Sequence, residues 1–315
     1  MTQGNTMAFA APAPIYAPYG WMPPAFHATL PPPRGFDGDA AAWAAWLDET
    51  ADLFKDFLWP RWQGSAWVGD LAAADALTRA DLAAMPALAQ KMNEPVRAGS
   101  PVTHALLFRA EDLAAPSLGT FKDYLPDPPP ALLSGFDRWV MEAGSERAEQ
   151  AAVGLKVHMQ RPRPYQMALQ LVPAMPLAYR VATTAVTPSL VSGHALQGAM
   201  ALVTVVLHLE HGLREPTPPG LLKELQRYFL HVGDRRTFAG VHYPSDNLSS
   251  WFTVLRLLRR MSFNESDPKT ERTRGREVLW AGIQAESPVY QAMAAAGGAF
   301  SDSLARLKAE AEAPL

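Results

Sequence analysis

Residues 191–211, VSGHALQGAMALVTVVLHLEH, decide how the chain folds. Ala195, Ala199, Leu202 and Val206 recur at helical spacing, so a helix over about 194–211 has one apolar face. The apolar run 199–207 meets His208, Glu210 and His211 well before the roughly 20 residues a membrane span needs, so no integral span is expected. The stretch reads as a core helix. Ser192, Gly193 and His194 stand at its start, where backbone N–H groups are free and the helix dipole is positive.

The same periodicity continues outward. A helix over about 220–236 aligns Leu221, Leu225, Phe229 and Val232, and another over about 245–262 aligns Leu248, Trp251, Phe252, Leu255 and Leu258. Upstream, residues 38–58 are Ala- and Trp-rich at helical spacing, and residues 70–92 form a helix with Asp70 as its N-cap. A Pro-rich break at Pro126, Pro128, Pro129 and Pro130 precedes a long helix beginning near Ala131, with Leu132, Phe136, Trp139, Val140 and Ala143 as its stripe. Residues 287–311 form a final Ala-rich helix. Alternating β-branched runs are scarce, so no sheet is expected and the fold class is all-α. Four segments follow: a Pro-rich arm over 1–37, accessory helices over 38–128, a helical bundle over 129–265 and a C-terminal helical segment over 266–315. The stretch 38–315 reads as one domain.

Composition narrows the function. The chain has 315 residues, 48% hydrophobic and 19% charged, so a sizeable core is affordable. A net charge of −3 gives no basic excess for nucleic acid or an anionic membrane. The lack of cysteine excludes disulfides, thiolate catalysis and thiolate metal sites. Residues 1–20 have no basic n-region and are interrupted by Pro12, Pro14 and Pro18, so no signal peptide is read. A soluble protein is expected, in the cytoplasm in preference to a periplasmic or secreted location. Tyr16, Tyr19, Trp21 and Phe26 in the arm suit docking on the body or on a second subunit. The Trp-rich stretch 43–67 is a candidate interface for a homo-oligomer.

Three segments carry chemistry. Residues 156–164, KVHMQRPRP, supply Lys156 and Arg163, two cations near one point, with Arg163 expected at or just beyond a helix end because of Pro162 and Pro164. Ser192 offers a hydroxyl, Gly193 a backbone amide open to close approach, and His194 a titratable proton. In residues 236–246, RTFAGVHYPSD, Arg236 leaves the buried face at a helix end and Gly240 permits a turn. Asp246, four residues after His242, reaches back to the His242 ring and fixes its tautomer. A histidine held by a carboxylate serves as a nucleophile or a base. The set suits a tetrahedral oxyanion and in-line displacement on it.

At these residues the sequence resembles the superfamily of type 2 phosphatidic acid phosphatases and vanadium-dependent haloperoxidases, whose signature is K-x6-RP, PSGH and SR-x5-H-x3-D. Lys156, Arg163 and Pro164 match the first part. Ser192, Gly193 and His194 match the second, with Val191 in place of Pro. Arg236, His242 and Asp246 match the third, with Arg235 in place of Ser. The resemblance implies a helical bundle of the acid phosphatase and vanadium haloperoxidase type, with extra N-terminal helices and the site at one end. It implies that Lys156, Arg163, Arg236, Ser192 and the Gly193 amide bind the phosphoryl oxygens. His242 would attack phosphorus to form a phosphohistidine, Asp246 would orient it, and His194 would protonate the leaving alcohol and then activate water.

A small phosphorylated anion hydrolysed without a metal cofactor is the leading expectation. The alternative is a vanadium-dependent haloperoxidase using peroxide and halide, with vanadate as cofactor and His242 as its ligand. Arg235 is expected either to face solvent or to favour a second anionic group. His27, His104, His158, His208, His211 and His231 read as ordinary histidines, and Met167, Met175 and Met200 as core filler. Asn264, Glu265 and Ser266 fit a glycosylation sequon that arises readily by chance, and Arg161 either extends the anion pocket or lies exposed.

Overall fold

A computed structural model describes residues 31–63, 66–113, 115–171, 187–263 and 267–315. Most of the N-terminal arm, Met175 and the sequon at Asn264 lie outside the described residues. After Asp39, whose carboxylate accepts from Ala42 N at 2.9 Å, the chain winds into α1, Ala40–Phe54. Its Trp43 and Trp46 stack at 5.1 Å within the core. Two short strands follow, β1 Arg61–Gln63 and β2 Ala66–Val68, paired antiparallel with Trp62 opposite Trp67. This hairpin departs from the expected absence of any sheet. Trp62 and Trp67 meet edge to face at 5.4 Å, an aromatic cross-strand pair that stabilises so short a ladder. Trp43, Trp46 and Trp59 are buried, which removes them from the expected interface.

Helix α2, Leu71–Gln90, is capped by Asp70, whose Oδ1 accepts from Ala72 N and Ala73 N. Then come α3 His104–Leu113, α4 Leu118–Phe121, α5 Pro130–Leu133 and α6 Phe136–Met141. The long helix expected from Ala131 is broken. After α6 a π-helical segment, Glu142–Ala148, leads into α7, Glu149–Met159. Gln160 at φ 47° ends α7, and the Arg161–Pro162–Arg163 link opens into α8, Pro164–Leu171. Arg163 therefore lies beyond the helix end, where the prolines place it.

Helix α9, Gly193–Leu213, is the centre of the bundle. Around it pack α10 Pro219–Phe238, α11 Pro244–Leu258 and α12 Pro268–Glu286, together with α7 and the π segment. Helices α9 and α10 approach closely because two positions lack a Cβ. A Cβ on Gly198 would lie 2.3 Å from the Phe229 carbonyl oxygen, and one on Gly233 would lie 2.5 Å from Ala195 Cβ. The final Ala-rich stretch is two helices, α13 Pro288–Ala296 and α14 Ser301–Glu312, divided by Gly297 and Gly298 at positive φ. By length and composition α9 qualifies as a membrane span, yet 67% of its apolar window is buried within the fold. The accessory helices are not a separate layer: α1 packs on α7, and α2 on α10 and α11.

Candidate active site

One cavity of about 260 Å³ opens where α7, α9 and α10 converge, and Lys156, Arg163, Gly193, His194, Arg236 and His242 line it. The three segments singled out in the sequence thus meet in space. Gly240 at φ 75° makes the turn between α10 and α11, and His242 stands just before α11. Asp246, in the first turn of α11, accepts from His242 Nδ1 at 3.0 Å and from Tyr243 N at 3.0 Å through the same oxygen. The Ser189 hydroxyl donates to that oxygen as well.

The ring's protonation follows from its two partners. Arg163 has donors only, and its NH1 lies 2.8 Å from His242 Nε2. Nε2 therefore accepts and Nδ1 carries the proton that Asp246 receives. Burial, then the charge of Arg163, lowers the His242 pKa well below 6.5, against the pull of Asp246. The ring is neutral, with its lone pair on the pocket side. Asp246 is held below the usual carboxylate range: burial raises it, but the Arg161 charge and the hydrogen bonds to its oxygens win.

The other expected residues fall as follows. Arg163 also donates to the Thr187 carbonyl and the Val241 carbonyl, each at 2.7 Å, so its guanidinium is tied on two sides. Lys156 is buried and donates to the Pro188 carbonyl, and burial followed by the Arg163 charge lowers its pKa well below 10.5. Arg236 reaches His194 Nε2 at 2.6 Å and Asp112 Oδ1 at 2.8 Å, and its guanidinium lies 4.6 Å from the centre of the Phe108 ring. His194 has its pKa lowered by burial and by Arg236. Ser192 differs from expectation in emphasis. It is fully buried, and its hydroxyl accepts from Ala195 N at 3.3 Å as the N-cap of α9. Gly193 has open space where a Cβ would be.

Two readings are corrected. Arg235 neither faces solvent nor lines the cavity. It is buried in an ion pair with Glu111, donating from Nε at 2.8 Å, and its NH1 donates to Tyr124 OH at 2.7 Å. Arg161 is buried beneath the site, bridging Asp246 and Asp81. His208 packs flat on Trp139 at 5.5 Å and lies 3.3 Å from Glu142, and His104 and His231 pack edge to face at 5.1 Å. Among the described residues no cluster of His, Asp and Glu is arranged to hold a metal ion.

Sequence reasoning missed Asp81, Glu111 and Asp112. Asp81 had a readable signal, since it interrupts the apolar face of α2 formed by Ala74, Leu77, Leu82, Met85 and Leu88. The consecutive acids Glu111 and Asp112 meet the consecutive arginines Arg235 and Arg236, a pairing across more than 100 residues that no local pattern announces. No family model, curated protein or solved structure matches this chain.

Proposed function

We propose that the chain is a phosphomonoesterase acting in aqueous solution on a small phosphorylated anion, with a phosphohistidine formed on His242. The observation that carries this reading is the Asp246–His242–Arg163 arrangement at the floor of a cation-lined cavity. A neutral imidazole with its lone pair on Nε2 is the form a nucleophile needs once Arg163 releases it. Three cations and the amide end of α9 suit the oxygens of a phosphoryl group.

In the first step His242 Nε2 forms a bond to phosphorus and the ester P–O bond breaks. The Arg163 N–H that rests on Nε2 turns its hydrogen bond to a phosphoryl oxygen and keeps its proton, which frees the lone pair. His194 gives its proton to the departing alkoxide. That proton is available because a bound dianion raises the pKa of His194, and of Lys156, from the depressed values of the free pocket. In the second step water attacks phosphorus, leaves a proton on His194, and the N–P bond electrons return to His242. Inorganic phosphate then departs. Asp246 stabilises the positive charge that the His242 ring carries between the two steps.

The deciding experiment pairs hydrolysis of an aryl phosphate with halogenation of a chromogenic acceptor in peroxide and bromide. Both are run on metal-free protein and on protein incubated with orthovanadate, a mimic of the phosphoryl-transfer geometry that the same cations suit. Hydrolysis without vanadate, inhibited by vanadate and abolished in His242→Ala, is the expected result. Halogenation appearing only with vanadate, with negligible hydrolysis, would overturn it in favour of a vanadium-dependent haloperoxidase.

A further inference from the structure

Arg161 is fully buried, and its guanidinium is held by two carboxylates and a hydroxyl. Its NH1 donates to Asp246 Oδ1 at 2.8 Å and to Ser245 Oγ at 2.7 Å. Its NH2 donates to Asp81 Oδ2 at 2.9 Å. The guanidinium lies between aromatic faces, 3.8 Å from the Tyr243 ring centre and 4.9 Å from that of Trp59. Asp81 is itself fixed twice by the first turn of α11, accepting from Ser245 N at 2.9 Å and from the Ser245 hydroxyl. Every group in this cluster is out of reach of solvent.

We infer that Asp81 on α2 and Arg161 after α7 are positioning residues that act on His242 through Asp246. The inference rests on the phosphohistidine reading for its kinetic consequence, but not for its structural one. Arg161 takes Oδ1 of Asp246, which leaves Oδ2 for the His242 ring and fixes the carboxylate plane. Asp81 holds the other end of the guanidinium and shares its charge. Were that charge undivided, Arg161 would neutralise Asp246 and disfavour a cationic His242 ring. Phosphoryl transfer makes the ring cationic, so Asp81 lowers the barrier from a position remote from substrate. Burial pushes the Asp81 carboxyl up to about 6, with Arg161 and Ser245 opposing, so it is ionised at neutral pH. An accessory helix thereby becomes part of the catalytic apparatus.

The test uses the full chain as wild type, Asp81→Asn and Ser245→Ala. Nitrogen NMR of the imidazole rings reads the His242 tautomer without turnover, and kcat, KM and the thermal midpoint are measured alongside. The wild type is expected to carry its proton on Nδ1. Asp81→Asn is expected to lower kcat on the order of tenfold with KM within about threefold, as removal of an outer partner of a reacting group does. It is also expected to shift the His242 nitrogen resonances. Ser245→Ala removes a hydrogen bond from Asp81 and Arg161 but leaves the Asp81 carboxyl in place, so its kcat is expected to fall less than that of Asp81→Asn even where its thermal midpoint falls as far. A kcat loss that tracks the midpoint in both variants would reduce the cluster to a structural role and overturn the inference. Unchanged kcat and unchanged His242 resonances in Asp81→Asn would do the same. An Nε2-protonated ring in the ligand-free wild type overturns it whatever the variants do. A wild type that hydrolyses no phosphomonoester would defeat the phosphatase reading alone, since the tautomer is read independently.

Discussion

The proposed attack on phosphorus needs a neutral His242 ring, and burial with the Arg163 charge holds its pKa well below 6.5. On the proposed mechanism, the acid limb of kcat/KM that protonation of His242 at Nε2 produces therefore lies below pH 6.5. A pH profile on an aryl phosphate checks this, and an acid limb centred at or above 6.5 would contradict it. Asp246 accepts from the His242 ring and shares the buried Arg161 charge with Asp81. Asp246→Ala is expected to cost about 1–3 kcal/mol of stability in addition to activity, because buried donors of Arg161, Ser189 and Tyr243 lose their acceptor while Asp81 still pairs with Arg161. Chemical denaturation measures the first effect. Retention of wild-type stability would mean that Arg161 finds another partner or water.

On the proposed function, helices set the limits of the substrate. Glu149, Ala152, Val153 and Lys156 line the cavity along one face of α7, with Lys156 deep and the exposed Glu149 at the mouth. Seven residues of helix rise by about 10 Å, so the rim carboxylate would face whatever extends that far from a phosphoryl group held at Lys156, as the proposed function requires. Glu149→Gln is expected to raise kcat/KM about twofold at low salt for a substrate whose far end is anionic, and to leave a neutral aryl phosphate unaffected. Equal responses from both substrates would remove Glu149 from the approach path. Helix α3 contributes through Glu111, the counter-ion of buried Arg235. Glu111→Ala and Arg235→Ala are each expected to destabilise the fold by about 3–5 kcal/mol, and the double variant by clearly less than their sum. Additive losses in the double-mutant cycle would show that the pair is not coupled.

Across the molecule, protonation and folding are linked. His104, His194, His231 and His242 are all buried with lowered pKa, His104 to about 3. Each takes up a proton near pH 6.5 only when unfolded, so each favours unfolding as pH falls below that value. Two buried carboxyls oppose this, Asp81 raised to about 6 and Asp234 to about 7, since the folded state binds their protons first. Four histidines outweigh two carboxyls, and the net is a loss of stability on acidification below pH 6.5. The slope is on the order of 1–3 kcal/mol per pH unit near pH 5. Denaturant midpoints at pH 7.5 and pH 5 check the sign. A protein more stable at pH 5 would mean that the carboxyls dominate.

The sequence by itself determined the all-α class, the Asp70 cap, the helices around residues 194–211, 220–236 and 245–262, and the His242–Asp246 contact. All of these are local, set by helical periodicity or by an i, i+4 reach, and local rules need no knowledge of the rest of the chain. The convergence of Lys156, Arg163, His194 and Arg236 was legible only because three motifs were read together. Tertiary structure decided the rest. Arg161 and Arg235 are interior residues because Asp81 and Glu111, 80 and 124 positions away, arrive to pair with them. The same partners turn accessory helices into supports of the site. A lone arginine is most stable in water, and only a folded chain that brings an anion to it can make burial the lower free energy.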